Sequence, residues 1–403
     1  MSAIAPEAPA ATATASWYAV KGPNGDLTWR VQSPAAAIGA KTVLIPDGKD
    51  GFDSLYWPNT DGYFPWSLEV TFPLGGKQVI TTEKEWEHFN RVKRNVANLR
   101  CLYPEHEGSA AIWTRPMPWQ AAHMREMRFE HGIRVSAEVD DNYLSDKRLN
   151  IFLQKAGWEA NNRDAHASSL CVGDALILST DYLRDLYWEG LNDAFPGLKK
   201  HLPEFHVCRN FIDEHYLPEV EPPSGPLRVG YMGSDSHIWD VDLIFPALLD
   251  AYRQGCEIVF VGISPALLNP KFSRTKRDWS AIPYTHIPWR NEGYRGFALP
   301  LDIGLAPLRV DKHTLGKSDI KWLEYALSGA ATVAQNCLVY NRTAIHGETA
   351  LLAGSAEDFR RQTNELIKSS GLRQRLVQST RQYISEERLL RKNADEWREA
   401  VFG

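Results

Sequence analysis

Short apolar segments alternate with longer amphipathic segments through the second half of the chain. The apolar segments lack the polar alternation of a half-exposed strand, which is typical of strands buried on both faces of a parallel sheet. The longer segments carry their apolar residues at the helical period. The pattern predicts strands in 227–234, 256–263, 301–308, 331–335 and 349–354, and helices in 242–255, 319–328, 356–371 and 372–384.

The first half shows the same alternation less regularly. Residues 46–80 are rich in Gly, Pro and aromatic side chains and have no clear period, so we predict an elaborated loop or a hairpin there. Elsewhere the pattern predicts strands in 108–115, 133–141, 172–180 and 205–213, and helices in 118–132 and 181–191. The fold class is therefore α/β, with two Rossmann-like, doubly wound domains in tandem.

Composition indicates where these domains begin and end. The segment LPEVEPPSGP at 217–226 has four Pro and one Gly in ten residues, which is typical of a linker. The first 16 residues are mostly Ala, Pro and Thr without Lys or Arg, so they lack the basic start of a secretory signal and we predict a disordered tail. The predicted division is a tail over 1–16, a first domain over 17–218, a linker over 219–226, a second domain over 227–385 and a final helix over 386–403.

The final helix is amphipathic. Leu390, Ala394, Trp397 and Val401 recur at helical spacing and form one apolar face. Such a face needs a partner, and we expect the helix to cross back to the first domain.

The charge is divided unevenly between the halves. Residues 1–220 contain 22 Lys and Arg against 29 Asp and Glu, a net charge of −7, whereas residues 221–403 have a net charge of +2. An acidic first half does not suit binding to a polyphosphate.

Neither a membrane segment nor a disulfide framework is predicted. No uninterrupted apolar run approaches the ~18 residues that a membrane-spanning helix needs. The five Cys lie far apart with no CxxC pair, which argues against a zinc site and suits a reducing cytoplasm.

The stretch GKSDIKWLEYALSGAATV at 316–333 carries the clearest candidate chemistry. Lys317, Lys321 and Glu324 are spaced by four and three, so they share one face of a helix while apolar residues take another. A helix start with cations beside it suits an anion, because the positive end of the helix dipole lies there. Ser318 has the side chain of an N-cap. The same spacing also fits a solvated face with an ordinary Lys–Glu pair.

These residues resemble the donor half of a GT-B glycosyltransferase. DIGLAPL…GKSDIKWLEYALSGAATVAQ is similar to the family-four-like enzymes of bacterial polysaccharide clusters and phages, and RVGYMGSDSHIWDVDLIFPAL is similar to the Gly-Ser-x-x-His-x-x-Asp unit that opens the same domain. AIWTRP, AEVDDNYL and DALILST are similar to strands of the acceptor domain, so the resemblance covers roughly residues 110–400. It implies two Rossmann-like domains that face each other across a cleft.

The resemblance also implies an activity and roles for the helix residues. The activity is transfer of a sugar from a nucleotide-diphosphate sugar, such as a uridine or guanosine diphosphate sugar, to a hydroxyl acceptor, with retention and without a metal or cofactor. Lys317, assisted by Lys321, then contacts the diphosphate, and Glu324 holds the ribose diol. The commoner family pattern has a further Glu that contacts the transferred sugar, and this chain has Gly316 at that position.

Two other loops of the second half contribute candidates. Gly233 and Ser234 follow a predicted strand, where glycine lets the backbone approach a ligand closely, although a plain turn has the same pattern. His237, on the following turn, can bond a phosphate or the sugar. Arg309 and Lys312 follow the strand at 301–308 and add positive charge, either beside the diphosphate or on an exposed loop.

Three candidates lie in the first half. Asp140 and Asp141 follow a predicted strand, where open α/β sheets bind their ligands, and by the resemblance they face the cleft near the acceptor. Arg115 ends the preceding strand and can approach the sugar. A capped turn would account equally for the two aspartates.

Two alternative functions compete with a metal-independent transferase. Asp140, Asp141 and Asn142 could be the metal-binding triplet of the other glycosyltransferase architecture, with a divalent ion on the diphosphate. The absence of a Glu at 316 instead favours an inactive nucleotide-sugar-binding module.

We expect a protein or glycan acceptor in preference to a modified DNA base. DNA binding draws its affinity from Lys and Arg at phosphates, and the first half is acidic. The basic cluster of this half consists of Arg91, Lys93, Arg94 and Arg100, and it is flanked by the acidic residues Glu83, Glu85 and Glu87.

No oligomeric state is predicted for the protein.

Overall fold

The computed structural model describes most of the chain. The described residues are 14–20, 30, 33–45, 67–71, 77–80, 98–102, 108–116, 120–145, 160–214, 225–234, 237–264, 277–288 and 299–403. The predicted linker at 219–226 and the acidic and basic residues at 83–94 fall mainly or wholly outside these ranges.

The second half forms a six-stranded sheet in which every neighbouring pair is parallel. Its strand order, β12-β11-β10-β13-β14-β15, is that of a doubly wound nucleotide-binding domain, with the reversal of order between β10 and β13. Apolar side chains fill both faces, since Tyr231 belongs to the core on one face and Met232 to the core on the other. The strands are β10 (Arg228–Gly233), β11 (Glu257–Gly262), β12 (Thr285–Ile287), β13 (Ile303–Ala306), β14 (Ala331–Gln335) and β15 (Leu351–Ala353).

The first half forms a second parallel sheet of six strands, in the order β2-β1-β6-β7-β8-β9. The two sheets confirm the predicted pair of doubly wound α/β domains. The strands of the first sheet are β1 (Ala15–Val20), β2 (Lys41–Ile45), β6 (Ala110–Thr114), β7 (Arg134–Val139), β8 (Ala175–Leu178) and β9 (Glu204–Val207).

Helices cover the two sheets. Among the described residues, no helix combines the length and the apolar character needed to cross a membrane. The helices of the first half are α1 (Ser33–Ile38), α2 (Ala121–Phe129), α3 (Ala160–Leu170) and α4 (Asp181–Ala194), and those of the second half are α5 (Phe245–Arg253), α6 (Ile320–Leu327), α7 (Ala356–Lys368), α8 (Ser370–Glu387) and α9 (Leu390–Phe402).

The structure corrects one sequence prediction at the start of the chain and agrees with another. The predicted tail over 1–16 is too long, because Ala15 and Ser16 already belong to β1 and pair with β6. Within 46–80, β3 (Ser67–Thr71) and β4 (Lys77–Ile80) pair antiparallel, as in a hairpin, and β3 also pairs with β5 (Asn98–Leu102). The rest of 46–80 lies outside the described residues.

The final helix packs on the first domain. Leu390, Ala394, Trp397 and Val401, which form its apolar face, are all buried. The Trp397 ring lies 5.2 Å from that of Trp17 in β1, measured between ring centroids. Helix α9 therefore follows the second domain in the chain but belongs to the core of the first domain.

Trp397→Ala should destabilise the first domain by about 3–5 kcal/mol, because it opens a cavity between α9 and the sheet. Urea unfolding followed by circular dichroism measures the loss. Trp188→Ala, at a Trp that is 44% exposed, is the matched control and should change stability by only about 0.5 kcal/mol. Equal losses from the two variants would contradict the packing described for α9.

Candidate functional site

The candidate residues of the first half lie at the carboxyl edge of the first sheet. Arg115 follows β6, and Asp140 follows β7. The Arg115 guanidinium binds Asp140 at two points, with Nε donating to Oδ1 at 2.7 Å and Nη2 to Oδ2 at 2.6 Å. Among the residues that the structure describes, Arg115 is the only one other than glycine with a left-handed backbone, at φ 49°. The ion pair helps to hold this costly conformation.

Asp141 contacts the other domain. Lys317 donates from Nζ to Asp141 Oδ1 at 2.8 Å. Burial acts to raise the pKa of Asp141, but the positive charges around it, Lys317 foremost, outweigh burial and hold that pKa well below its usual range. Asp141 is therefore a carboxylate at any ordinary pH and a weak base.

Lys317 lies in the loop between β13 and α6, residues 307–319, and not on the helix itself. The short 3₁₀ turn Thr314–Gly316 ends just before it, and α6 begins at Ile320. The predicted helix start at 319 agrees with this position, whereas the shared helix face holds only for Lys321 and Glu324 and not for Lys317. Its backbone is extended, so its ammonium reaches across to the first domain.

The β13–α6 loop is fixed to the first domain by further hydrogen bonds. Asn142 Nδ2 donates to the Lys312 carbonyl at 3.2 Å, and Thr180 Oγ1 donates to the Gly316 carbonyl at 3.1 Å. The buried His313 ring lies 3.1 Å from Ser145 Oγ, measured from Nδ1. Lys312 thus contributes its carbonyl to this interface, and its side chain is exposed.

Gly316 packs closely against the first domain. A Cβ atom there would lie 2.9 Å from Leu183 Cδ1 of α4, with Leu186 Cδ1 and Asn142 Cβ also within 4 Å. The first domain therefore occupies the direction in which a longer side chain at 316 would extend. A side chain at 316 would therefore require Leu183 to move.

The amino end of α6 is held by a buried ion pair. Asp319 occupies the N-cap position. The guanidinium of Arg388, which lies between α8 and α9, binds its two carboxylate oxygens at 2.7 and 2.9 Å. The prediction that Ser318 is the N-cap was wrong, because Ser318 Oγ accepts a hydrogen bond from Asn210 Nδ2 of the first domain at 2.6 Å.

Helix α6 is buried from Lys321 to its end at Leu327. Lys321 Nζ donates to Tyr231 OH at 2.9 Å and lies over the Tyr231 ring. Burial lowers the pKa of Lys321 to about 7, against the opposing effect of nearby Asp240. Glu324 is only 4% exposed, so neither charge belongs to a solvated face.

The loop after β10 starts at a position that requires glycine. A Cβ on Gly233 would lie 2.3 Å from Tyr231 OH, because the tyrosine side chain extends along the same face of the strand. Ser234 follows with an exposed side chain, and its carbonyl accepts from the His237 N–H at 3.1 Å. The loop thereby places His237 at the edge of the sheet next to α6.

Asp240 joins two predicted site residues. Its Oδ2 lies 2.8 Å from His237 Nδ1, and its Oδ1 accepts from the Arg309 N–H at 2.9 Å. The Arg309 guanidinium in turn lies over the Trp239 ring, 4.6 Å from its centroid. The Asp240 carboxylate is buried and connects the loops after β10 and β13.

The structure thus brings most of the candidates to one region, in one group on each domain. The group on the second domain comprises His237, Arg309 and Lys321. Arg115, Asp140 and Asp141 lie on the first domain, and Lys317 joins them to the amino end of α6. A signal for Asp240 was present in the sequence, three residues after His237, but there was none for His313, Asn210 or Arg388, whose partners lie far away in the chain.

Asp140, Asp141 and Asn142 do not act as one group. Asp140 pairs with Arg115, Asp141 with Lys317, and the Asn142 amide donates to the β13–α6 loop. Within the part of the chain that the structure describes, no three His, Cys, Asp or Glu side chains converge as they would around a metal ion.

Solved structures with the same architecture are known. The HepE protein of Anabaena in complex with UDP and glucose matches with a TM-score of 0.57 at 10% identity, over 96% of this chain and 98% of that chain. The catalytic domain of starch synthase IV from Arabidopsis thaliana, bound to ADP and acarbose, matches with a TM-score of 0.56 at 10% identity over the same shares. Sucrose-phosphate synthase from Thermosynechococcus elongatus matches with a TM-score of 0.56 at 12% identity, again over 96% and 98%.

The sequence itself gives no corresponding match, because no protein-family model and no curated protein matches it. At such low identity, the likeness to the solved structures shows the fold alone. Together with the two parallel sheets, it shows that this chain has the GT-B fold, with two Rossmann-like domains facing each other across a cleft.

Proposed function

We propose that this protein is a glycosyltransferase that moves a sugar from a nucleoside diphosphate sugar to a hydroxyl acceptor. The observation that carries the proposal is the position of Lys317. Its ammonium lies just before the amino end of α6, at the carboxyl edge of the second sheet, and faces the first domain. A cation and a positive helix end at this edge form a suitable place for a diphosphate. The HepE and starch synthase structures, which hold UDP and ADP in the same fold, support this reading.

Glu324 completes the proposed donor site. It lies on α6, one turn beyond Lys321. A carboxylate has the acceptor oxygens that a ribose diol requires. In this arrangement, α6 binds the nucleotide at two points, through the diphosphate at its start and the ribose along its side.

The proposed reaction needs no protein base. The bond between the anomeric carbon and the leaving phosphate oxygen breaks, a bond to the acceptor oxygen forms, and the acceptor proton passes to the departing diphosphate. Asp141 is a weak base, because its pKa is held below the usual range. This supports transfer on the face from which the diphosphate leaves, with retention of configuration.

A protein or glycan hydroxyl is the acceptor that we propose. In addition to the net charge of the first half, the structure shows Arg115 paired with Asp140 at the edge of the cleft. A guanidinium held by a carboxylate offers less attraction to a DNA phosphate.

Glu324→Ala should weaken nucleoside diphosphate binding by about tenfold to a hundredfold, because loss of a charged hydrogen-bond partner costs ~1.5–3 kcal/mol. Isothermal titration calorimetry measures the change. Glu324→Gln, which keeps the shape, should have an intermediate effect, and Glu348→Ala, at an exposed glutamate, should have none. Unchanged affinity in a folded Glu324→Ala protein would sink the ribose assignment.

Lys317→Ala and Asp141→Asn should change nucleotide affinity in opposite directions. The first variant removes a cation from the diphosphate and should weaken binding by about tenfold or more. The second removes a carboxylate that competes for that cation, so it should strengthen binding by about threefold to tenfold, or roughly 1 kcal/mol. Lys368→Ala, at an exposed lysine of α7, is the control. If the ion pair between Lys317 and Asp141 had a purely structural role, both variants would bind the nucleotide more weakly than wild type.

Transfer should continue after divalent ions are removed with a chelator, since fixed cations and a helix end can stabilise the leaving diphosphate as a metal does elsewhere. Initial rates with and without EDTA should agree within about twofold. If transfer strictly required manganese or magnesium, and Asp140→Ala lost this dependence on the metal, the metal-triplet alternative would be favoured.

A further inference from the structure

The two ring nitrogens of His237 have different environments. Nδ1 lies 2.8 Å from Asp240 Oδ2. An ionised carboxylate can only accept hydrogen bonds, so Nδ1 carries a hydrogen and donates it. Asp240 is ionised: burial acts to raise its pKa, but hydrogen bonds from His237 and Arg309 outweigh burial and lower it.

The ring is neutral in this environment. The titratable groups that face it are Asp240, on its own turn, and Lys317 and Lys321, from the segment that leads into α6. Burial and the two ammonium charges lower the pKa of His237 to about 4. At neutral pH the second nitrogen, Nε2, therefore has a lone pair and no hydrogen. Among the described residues, none is hydrogen-bonded to Nε2.

A bare Nε2 has a defined chemical preference. It accepts a hydrogen bond from a hydroxyl group, whereas it faces a phosphate oxygen lone pair to lone pair. The cations suited to the diphosphate are Lys317 and Lys321, which already lie beside this ring. From the β13–α6 loop, Gly316 supplies no side chain that could accept a hydrogen bond from a sugar.

We propose that His237 binds a hydroxyl of the transferred sugar through Nε2, and that Asp240 positions it by fixing the hydrogen on Nδ1. The inference rests on the proposed function, and it assigns His237 to sugar recognition and not to the diphosphate. The sugar is the part of the donor joined directly to the diphosphate, so it lies next to the group that Lys317 and Lys321 attract. His237 is thus a determinant of which sugar is accepted.

Paired titrations test this assignment. Binding of uridine diphosphate and of uridine diphosphate glucose is measured by calorimetry, with the guanosine pair as a substitute if wild type binds that base. His237→Phe keeps a flat ring without the lone pair. It should weaken binding of the nucleotide sugar by about tenfold and leave that of the bare nucleoside diphosphate within about twofold. His237→Gln, which offers an amide oxygen as acceptor, should recover part of the loss.

Two outcomes would count against the proposal, and they differ in what they refute. If His237→Phe weakened the bare nucleoside diphosphate as much as the sugar, His237 would be a phosphate ligand and the proposed function would stand. If wild type bound no nucleotide or nucleotide sugar, the proposed function would fail, and this assignment with it.

A series of donor sugars that each lack one hydroxyl group identifies the hydroxyl that His237 binds. Wild type should lose affinity when one particular hydroxyl of the donor sugar is removed, whereas His237→Phe should be insensitive to that same removal. Coupling between His237 and a hydroxyl of the acceptor, measured in transfer assays, would overturn the assignment to the donor.

The hydrogen positions can be read without ligand. In nitrogen-15 spectra of histidine-labelled protein, the signal missing from His237→Phe should show a protonated Nδ1 and a bare Nε2 at neutral pH. Asp240→Asn should disturb this signal. A doubly protonated His237 at neutral pH would contradict the proposal.

Discussion

The buried ion pair between Asp319 and Arg388 ties the amino end of α6 to both domains. Arg388 follows α8, and besides its two contacts with Asp319 it donates from Nη2 to the Asn210 carbonyl at 2.8 Å. Two backbone hydrogen bonds accompany this contact: the Ile212 N–H donates to the Arg388 carbonyl, and the Leu390 N–H donates to the Ile212 carbonyl. Breaking such a buried pair costs about 3–5 kcal/mol, because one charge is left without a partner. The relation of α6 to the first sheet depends on this contact.

Charges in the cleft are balanced by carboxylates that hold them in place. Arg115 has Asp140, Lys317 has Asp141, and Arg309 lies beside Asp240. An anionic ligand that binds here must therefore exchange partners with a carboxylate, and its net gain is smaller than the charge of the cations suggests. In return, the cations are already positioned, so little side-chain freedom remains to be lost when the ligand arrives.

The contact at Gly316 shows how the two domains constrain each other. The same loop that carries Lys317 packs its glycine against Leu183 of α4, so a larger side chain at 316 would require the first domain to adjust.

The sequence by itself determined the fold class and the elements that carry the site. Apolar strands with little polar alternation can be stable only between two layers of helices, so the local pattern was enough to predict two doubly wound domains. It also predicted that Arg115, Asp140 and Asp141 lie at the carboxyl edge of the first sheet, because they follow strand ends, and that Lys317 lies beside the start of a helix.

Only the tertiary structure decided which of these residues touch. Lys317 and Asp141 are 176 positions apart, and Asp319 and Arg388 are 69 apart. A contact between distant segments depends on how whole sheets and helices pack, which no local periodicity encodes. For the same reason the spacing of Lys321 and Glu324 also fitted a solvated charged face, and only the packing of α6 between the second sheet and its neighbours shows that both residues are buried.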